Sequence, residues 1–160
     1  MSFHHYCRLE ESSVRNLVSS VVMGLSAFVL SAGLAFAEGK VDVSDARLRL
    51  LPGDVPAAGY FRLHNGTDEA IKLIGAHTGA YRKVMMHLSM EKDGMAEMHA
   101  VPEVDIAPGE DFEFAPSGYH LMFMKRSALL QYGDKVTVIL KFADRKDVPV
   151  NFKVVSPAAM

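Results

Sequence analysis

Between Val41 and Val155 apolar and polar positions alternate in short runs, and turn residues break each run before a helical period can develop. In 135–142, Val136, Val138, Leu140 and Phe142 alternate with Lys135, Thr137, Ile139 and Lys141, which predicts a strand with one face in a core. Val148, Val150, Phe152 and Val154 repeat the pattern against Asn151 and Lys153. Strands are predicted over 41–50, 58–65, 70–77, 83–90, 96–99, 104–106, 111–114, 120–124, 135–142 and 148–155. Pro52-Gly53, Asn65-Gly66, Asp93-Gly94, Pro108-Gly109, Ser117-Gly118 and Gly133-Asp134 supply the turns. Many short strands at such spacing define an all-β sandwich or barrel. Only Ser127 to Tyr132 is expected to form a helical turn, and the Ser-Pro-Ala-Ala-Met end is expected to fray.

The first 37 residues differ in kind. Arg8 and Arg15 precede an apolar run, Leu17 to Phe36, that carries no charge and closes on Ala35-Phe36-Ala37. This is the layout of a secretory signal peptide, with cleavage expected between Ala37 and Glu38. The alternative is a retained anchor, because about 20 apolar residues can span a bilayer. The expected organisation is a signal peptide, 1–37, and one domain, 38–160, with no stable membrane insertion once the leader is removed.

Cleavage also removes Cys7, the only cysteine, which precedes the apolar run and so is not placed like a lipid-modified cysteine at a cleavage site. A thiol-free domain has no disulfide, no thiolate zinc site and no cysteine nucleophile. A formal charge of −2 with dispersed Lys and Arg gives no basic stripe for nucleic acid. The carboxylates stand at no spacing to His or Ser that suits an acid/base pair or a triad, so no enzyme is predicted.

The chemistry gathers between Met85 and Met124, which holds seven of the ten methionines and three of the seven histidines. On a strand over 119–124, Tyr119, Leu121 and Phe123 share the core face, so His120, Met122 and Met124 share the other. Met85 and His87 likewise share one face of the 83–90 strand, opposite Met86 and Leu88. A hairpin turning at Asp93-Gly94 would return Met98 toward His87. Thioethers suit Cu(I) and are poor ligands for hard cations, while imidazole tolerates copper in either oxidation state. Each residue taken alone is more simply a core filler or a surface histidine, but core packing does not explain methionines opposite Leu121 and Phe123. Met85, Met90, Met95 and Met124 are candidates for the surroundings of such a site. His99 is expected at the surface, and His64 and His77 stand alone.

The spacing resembles that of the PCuAC family of periplasmic copper chaperones. Its signature is His or Met, ten residues, Met, twenty-one residues, His, one residue and Met. His87, Met98, His120 and Met122 match all four positions. Val55-Pro56-Ala57-Ala58-Gly59-Tyr60-Phe61, Asp93-Gly94-Met95, Ile106-Ala107-Pro108-Gly109 and Gly118-Tyr119-His120-Leu121-Met122 are similar to the family as well. The sequence departs from it at Arg47, where a Trp is common after Asp-Ala, and at Leu88-Ser89.

The resemblance implies a cupredoxin-like Greek-key β-sandwich that binds one Cu(I) per chain through His87, Met98, His120 and Met122. It further implies a periplasmic carrier that delivers copper to subunit II of cytochrome c oxidase or to a Sco-type copper protein. The alternatives are a copper sink with the same donors and a metal-free interaction module. A blue-copper electron carrier would require a cysteine thiolate.

Overall fold

The computed structural model describes residues 39–92 and 94–159. The expected signal peptide and its cleavage site lie outside these residues. The predicted strands are all present: β1 (Val41–Arg49), β2 (Ala57–Asn65), β3 (Ile71–His77), β4 (Tyr81–Lys92), β5 (Met95–Ala100), β6 (Val104–Ile106), β7 (Asp111–Phe114), β8 (Tyr119–Arg126), β9 (Lys135–Phe142) and β10 (Val148–Val155). The helical turn expected at 127–132 is absent, and the chain end, expected to fray, forms a short 3-10 turn over Pro157–Ala159.

The architecture is all-β, a cupredoxin-like Greek-key sandwich whose strands hydrogen-bond in the order β5-β4-β8-β2-β1-β10-β9-β3-β6. The first half of β2 pairs with β8, its second half with β7, and its other edge with β1. β1 and β10 run parallel, and the other pairings are antiparallel.

Alternation sends one residue of each pair inward, as the patterns of β9 and β10 require. Phe61, Phe114, Phe123 and Phe152 meet in the centre with Leu48, Leu63, Leu121 and Leu140, all essentially solvent-free. Phe61 stacks on Phe114 at 4.3 Å, while Phe152 meets Phe61 and Phe123 edge-on at 5.7 and 6.2 Å. Burying each such side chain contributes about 1.5–3 kcal/mol.

Two features depart from regular strands with an apolar core face. The β1–β2 register shifts between Ser44 and Arg47, where Asp45 has φ 51°. Before this bulge Val43 lies opposite Leu63; after it Leu48 lies opposite Gly59, and Arg47 and Arg49 turn outward. The second departure is Asn65, a polar side chain with no exposure. Its Nδ2 donates to the carbonyls of Glu69, Ile106 and Ala107, and its Oδ1 accepts from the Thr67 backbone N–H and hydroxyl. One amide side chain thereby fastens two loops to the end of β2.

Candidate metal centre

The antiparallel ladder of β4 and β8 puts His87 directly opposite His120 and Met85 directly opposite Met122. Residues directly opposite share a face, so all four project away from Leu121 and Phe123. Beyond the turn at Gly94, β5 returns along β4 with Met98 opposite Ser89, two residues from His87 and on the same face. The four residues of the spacing signature, from β4, β5 and β8, therefore gather on one patch. Two crossings of β4 convert a sequence separation of 11 and a longer one into spatial neighbours.

The geometry is tightest at His87 and Met98, whose Nδ1 and Sδ atoms lie 3.1 Å apart. Metal–nitrogen bonds near 2.0 Å and metal–sulfur bonds near 2.3 Å let one ion touch two such atoms at once. The His87 and His120 rings stand edge to face with centroids 5.8 Å apart. His120 is only 5% exposed although it faces outward. Its Nδ1–H donates to the Gly118 carbonyl at 3.1 Å, which leaves the Nε2 lone pair available. Met122 is half-buried and Met98 is 51% exposed.

Burial, followed by the neighbouring His120 and Lys83, holds the His87 pKa below its ordinary value. A lowered pKa keeps the imidazole neutral at pH 7 with a lone pair free for a metal. Among the described residues no group of three or more His, Cys, Asp or Glu side chains converges. The donor set at this patch is thus two imidazoles and two thioethers, all uncharged.

The other sequence candidates separate clearly. Met85 stands directly across from Met122 and is half-buried. Met124 lies one step further along β8, opposite Lys83, away from His120. Met90 lines the cleft beside the donors, whereas Met95, 65% exposed, sits at the hairpin end opposite Lys92. Met86 is core. His99 is exposed beside Glu97, and His64 pairs with Asp111 at 2.8 Å on the surface.

Sequence reasoning missed the other wall of the site. Tyr60 faces outward yet is only 5% exposed, its ring 6.4 Å from that of His120. The Arg49 guanidinium lies 5.6 Å from the Tyr60 ring centre. Tyr60 follows apolar residues in a core strand, and Arg49 follows a bulge marked in the sequence only by the change of apolar positions from 41 and 43 to 46, 48 and 50. Together with Met98, His120 and Met122 these two residues line a cleft of about 460 Å³.

An all-β sandwich with a face of imidazoles and thioethers is similar to domains of the PCuAC type, and solved structures share the fold. The copper-bound PCuAC domain from PmoF2 superposes with a TM-score of 0.63 and 24% identity, covering 76% of this chain and 97% of that domain. The solution structure of CuI-DR1885 from Deinococcus radiodurans gives a TM-score of 0.57 and 28% identity, covering 78% of this chain and 83% of that one. The chain belongs to the LpqE-like family: residues 41–154 match the family described as "Putative lipoprotein LpqE-like". A relative, "Putative lipoprotein Lxx21020" of Leifsonia xyli subsp. xyli, is 32% identical over 111 residues, which cover 69% of this chain and 66% of the relative. The chain thus spans slightly under two thirds of that relative's length.

Proposed function

We propose that the protein is an exported carrier of Cu(I), which it holds as cargo through His87, Met98, His120 and Met122. The observation that carries this reading is the approach of His87 Nδ1 to Met98 Sδ at 3.1 Å, on the face where His87 stands opposite His120. Four neutral donors, two of them thioethers, match a soft monovalent ion and suit hard divalent ions poorly. The lowered His87 pKa supports the same reading, since a histidine must be neutral to bind. The solved neighbours named copper-bound PmoF2 and CuI-DR1885 carry copper on the same fold, and a family of lipoproteins is consistent with export. Among the described residues no helix is long and apolar enough to cross a membrane.

Within this reading the protein works in the periplasm without catalysing a reaction. It passes one Cu(I) per chain by ligand exchange to subunit II of cytochrome c oxidase or to a Sco-type copper protein. An anaerobic Cu(I) competition titration against a chromophoric chelator tests the binding. One-to-one binding, weakened roughly tenfold or more by His120→Ala and by Met122→Ala, is the expected result; tenfold corresponds to about 1.4 kcal/mol. Binding that is absent, or indifferent to both substitutions, would return the methionines to a packing role. Deletion that lowers oxidase activity supports delivery, and deletion that causes copper sensitivity alone supports a sink.

A further inference from the structure

The cleft beside the donors is larger than an ion requires. At about 460 Å³ it falls in the range of small-molecule sites. Its shape follows from the register. Arg49 on β1 and Met122 on β8 both pair with Ala58 on β2, so they share the outer face about 10 Å apart, twice the strand spacing. Only the Ala58 methyl fills the space between them.

Arg49 is a cation without a counter-ion. Among the described residues no carboxylate pairs with it, and its Nε–H is buried without an acceptor. Arg62, by contrast, pairs with both Asp45 and Glu113. Tyr60 holds the Arg49 guanidinium beside its ring, in the wall that also carries His120 and Met122. Glu91 lines the same cleft without reaching the guanidinium. The four donors are neutral, so a bound monovalent cation would add further positive charge here. Both charges favour an anionic visitor.

We infer that this cleft binds a carboxylate-bearing sulfur compound, a thioether or thiol whose carboxylate docks on Arg49 and whose sulfur faces Met98, His120 and Met122. The sulfur half rests on the copper reading above; the carboxylate half stands on Arg49 alone. Such a visitor takes or brings Cu(I) by exchanging one sulfur donor for another, with no change in oxidation state. It is either a free small molecule or a protein segment with an acidic residue beside a sulfur residue.

Heteronuclear NMR titration of the metal-free protein with N-acetylmethionine and with its neutral twin, N-acetylmethioninamide, tests the carboxylate half. The acid is expected to give saturable shifts at Ala58, Tyr60 and the Arg49 Nε–H, and to bind at least about fivefold more tightly than the amide, since a charge-assisted contact is stronger than a neutral one. Arg49→Gln should remove that preference, and Arg49→Lys, which keeps the charge and guards against misfolding, should retain part of it. Equal response to acid and amide, or a preference that survives Arg49→Gln, overturns the carboxylate site.

With Cu(I)-loaded protein, N-acetylmethionine should bind more tightly than N-acetylnorleucine, and equal binding overturns the sulfur half. If the protein binds no Cu(I), the carrier reading and the sulfur half fail together, while the metal-free comparison still decides the carboxylate site. Tighter binding of acetyl-Met-Glu-amide than of N-acetylmethionine supports a protein source, and the reverse order a free small molecule.

Discussion

On the proposed Cu(I) site, acid should loosen the bound ion, with His87 setting part of the profile. A proton competes with the metal for an imidazole lone pair, so each ligating histidine weakens binding by a factor of 1 + 10^(pKa − pH). At the ordinary histidine value near 6.5, that factor rises from about 1 at pH 7.5 to about 30 at pH 5. His87 is held below that value by burial, followed by its neighbours His120 and Lys83. The sign follows directly: a lower pKa means weaker proton competition, so its contribution at pH 5 is real but under about 30-fold, and it sets in below pH 6.5.

The informative substitution is His87→Met, which keeps a soft donor in the strand opposite His120 but removes a titrating one. Anaerobic Cu(I) competition at half-unit intervals from pH 7.5 to 5, with a chelator calibrated at each pH, should show the wild type falling more steeply than the variant. With each curve taken relative to its own value at pH 7.5, the gap should open only below pH 6.5 and stay under about 30-fold at pH 5. Superimposable profiles would refute ligation by His87. A wild-type curve that already falls more steeply than the variant above pH 6.5 would refute the lowered pKa.

Three other substitutions probe the frame and the face it presents. Gly59→Ala puts a methyl 2.6 Å from the Phe123 ring, which Phe152 and Tyr81 hold in place; overpacking of this kind costs about 1–3 kcal/mol, so at roughly 3–6 °C per kcal/mol the thermal midpoint should fall by roughly 3–18 °C, and an unchanged midpoint would show that the ring retreats freely. Asn65→Ala strands the buried Ile106 carbonyl and the part-buried partners at Glu69, Ala107 and Thr67, and urea denaturation should show a loss of about 3 kcal/mol at about 1–3 per fully stranded group. Met98→Ala should cost less Cu(I) affinity than Met122→Ala, because Met98 is 51% exposed on an edge strand while Met122 is half-buried in an interior one; the reverse order in a competition titration would contradict this.

The donor face was legible because the parity of a strand is legible. Leu121 and Phe123 declare which face of β8 is core, and His120 and Met122 must then take the other. The hairpin at Gly94 was equally plain, and Met98 followed from it. Arg49 was hidden because parity changes within β1. The register shift between Ser44 and Arg47 is marked only by the move of the apolar positions from Val41 and Val43 to Ala46, Leu48 and Leu50, and a strand read over 41–50 without faces leaves Arg49 unplaced. Tyr60 was hidden for the opposite reason, as an aromatic residue buried on the outer face by its neighbours rather than by the core. At 127–132 a composition favourable to a helix was overruled by length. Six residues gain little from propensity against the cost of helix nucleation, so tertiary packing decides, and the chain instead packs Leu130 against the core and leaves Leu129 in solvent.

The position of the donors within the sheet bears on how an ion would leave. His87 and Met122 stand on β4 and β8 at positions paired on both edges, while His120 pairs with His87 and is tied through its Nδ1–H to the Gly118 carbonyl. Met98 belongs to β5, which ends the strand order and pairs with β4 alone. A strand held on one edge opens at lower free energy than one held on two, and a side chain half exposed on such a strand swings away without disturbing the core. Three fixed donors and one loosely held donor form an arrangement in which an incoming sulfur can replace Met98 before the other bonds are disturbed. The cleft lined by Arg49 and Tyr60 also has Met98 in its wall. The exchange can therefore begin where the sheet is least constrained.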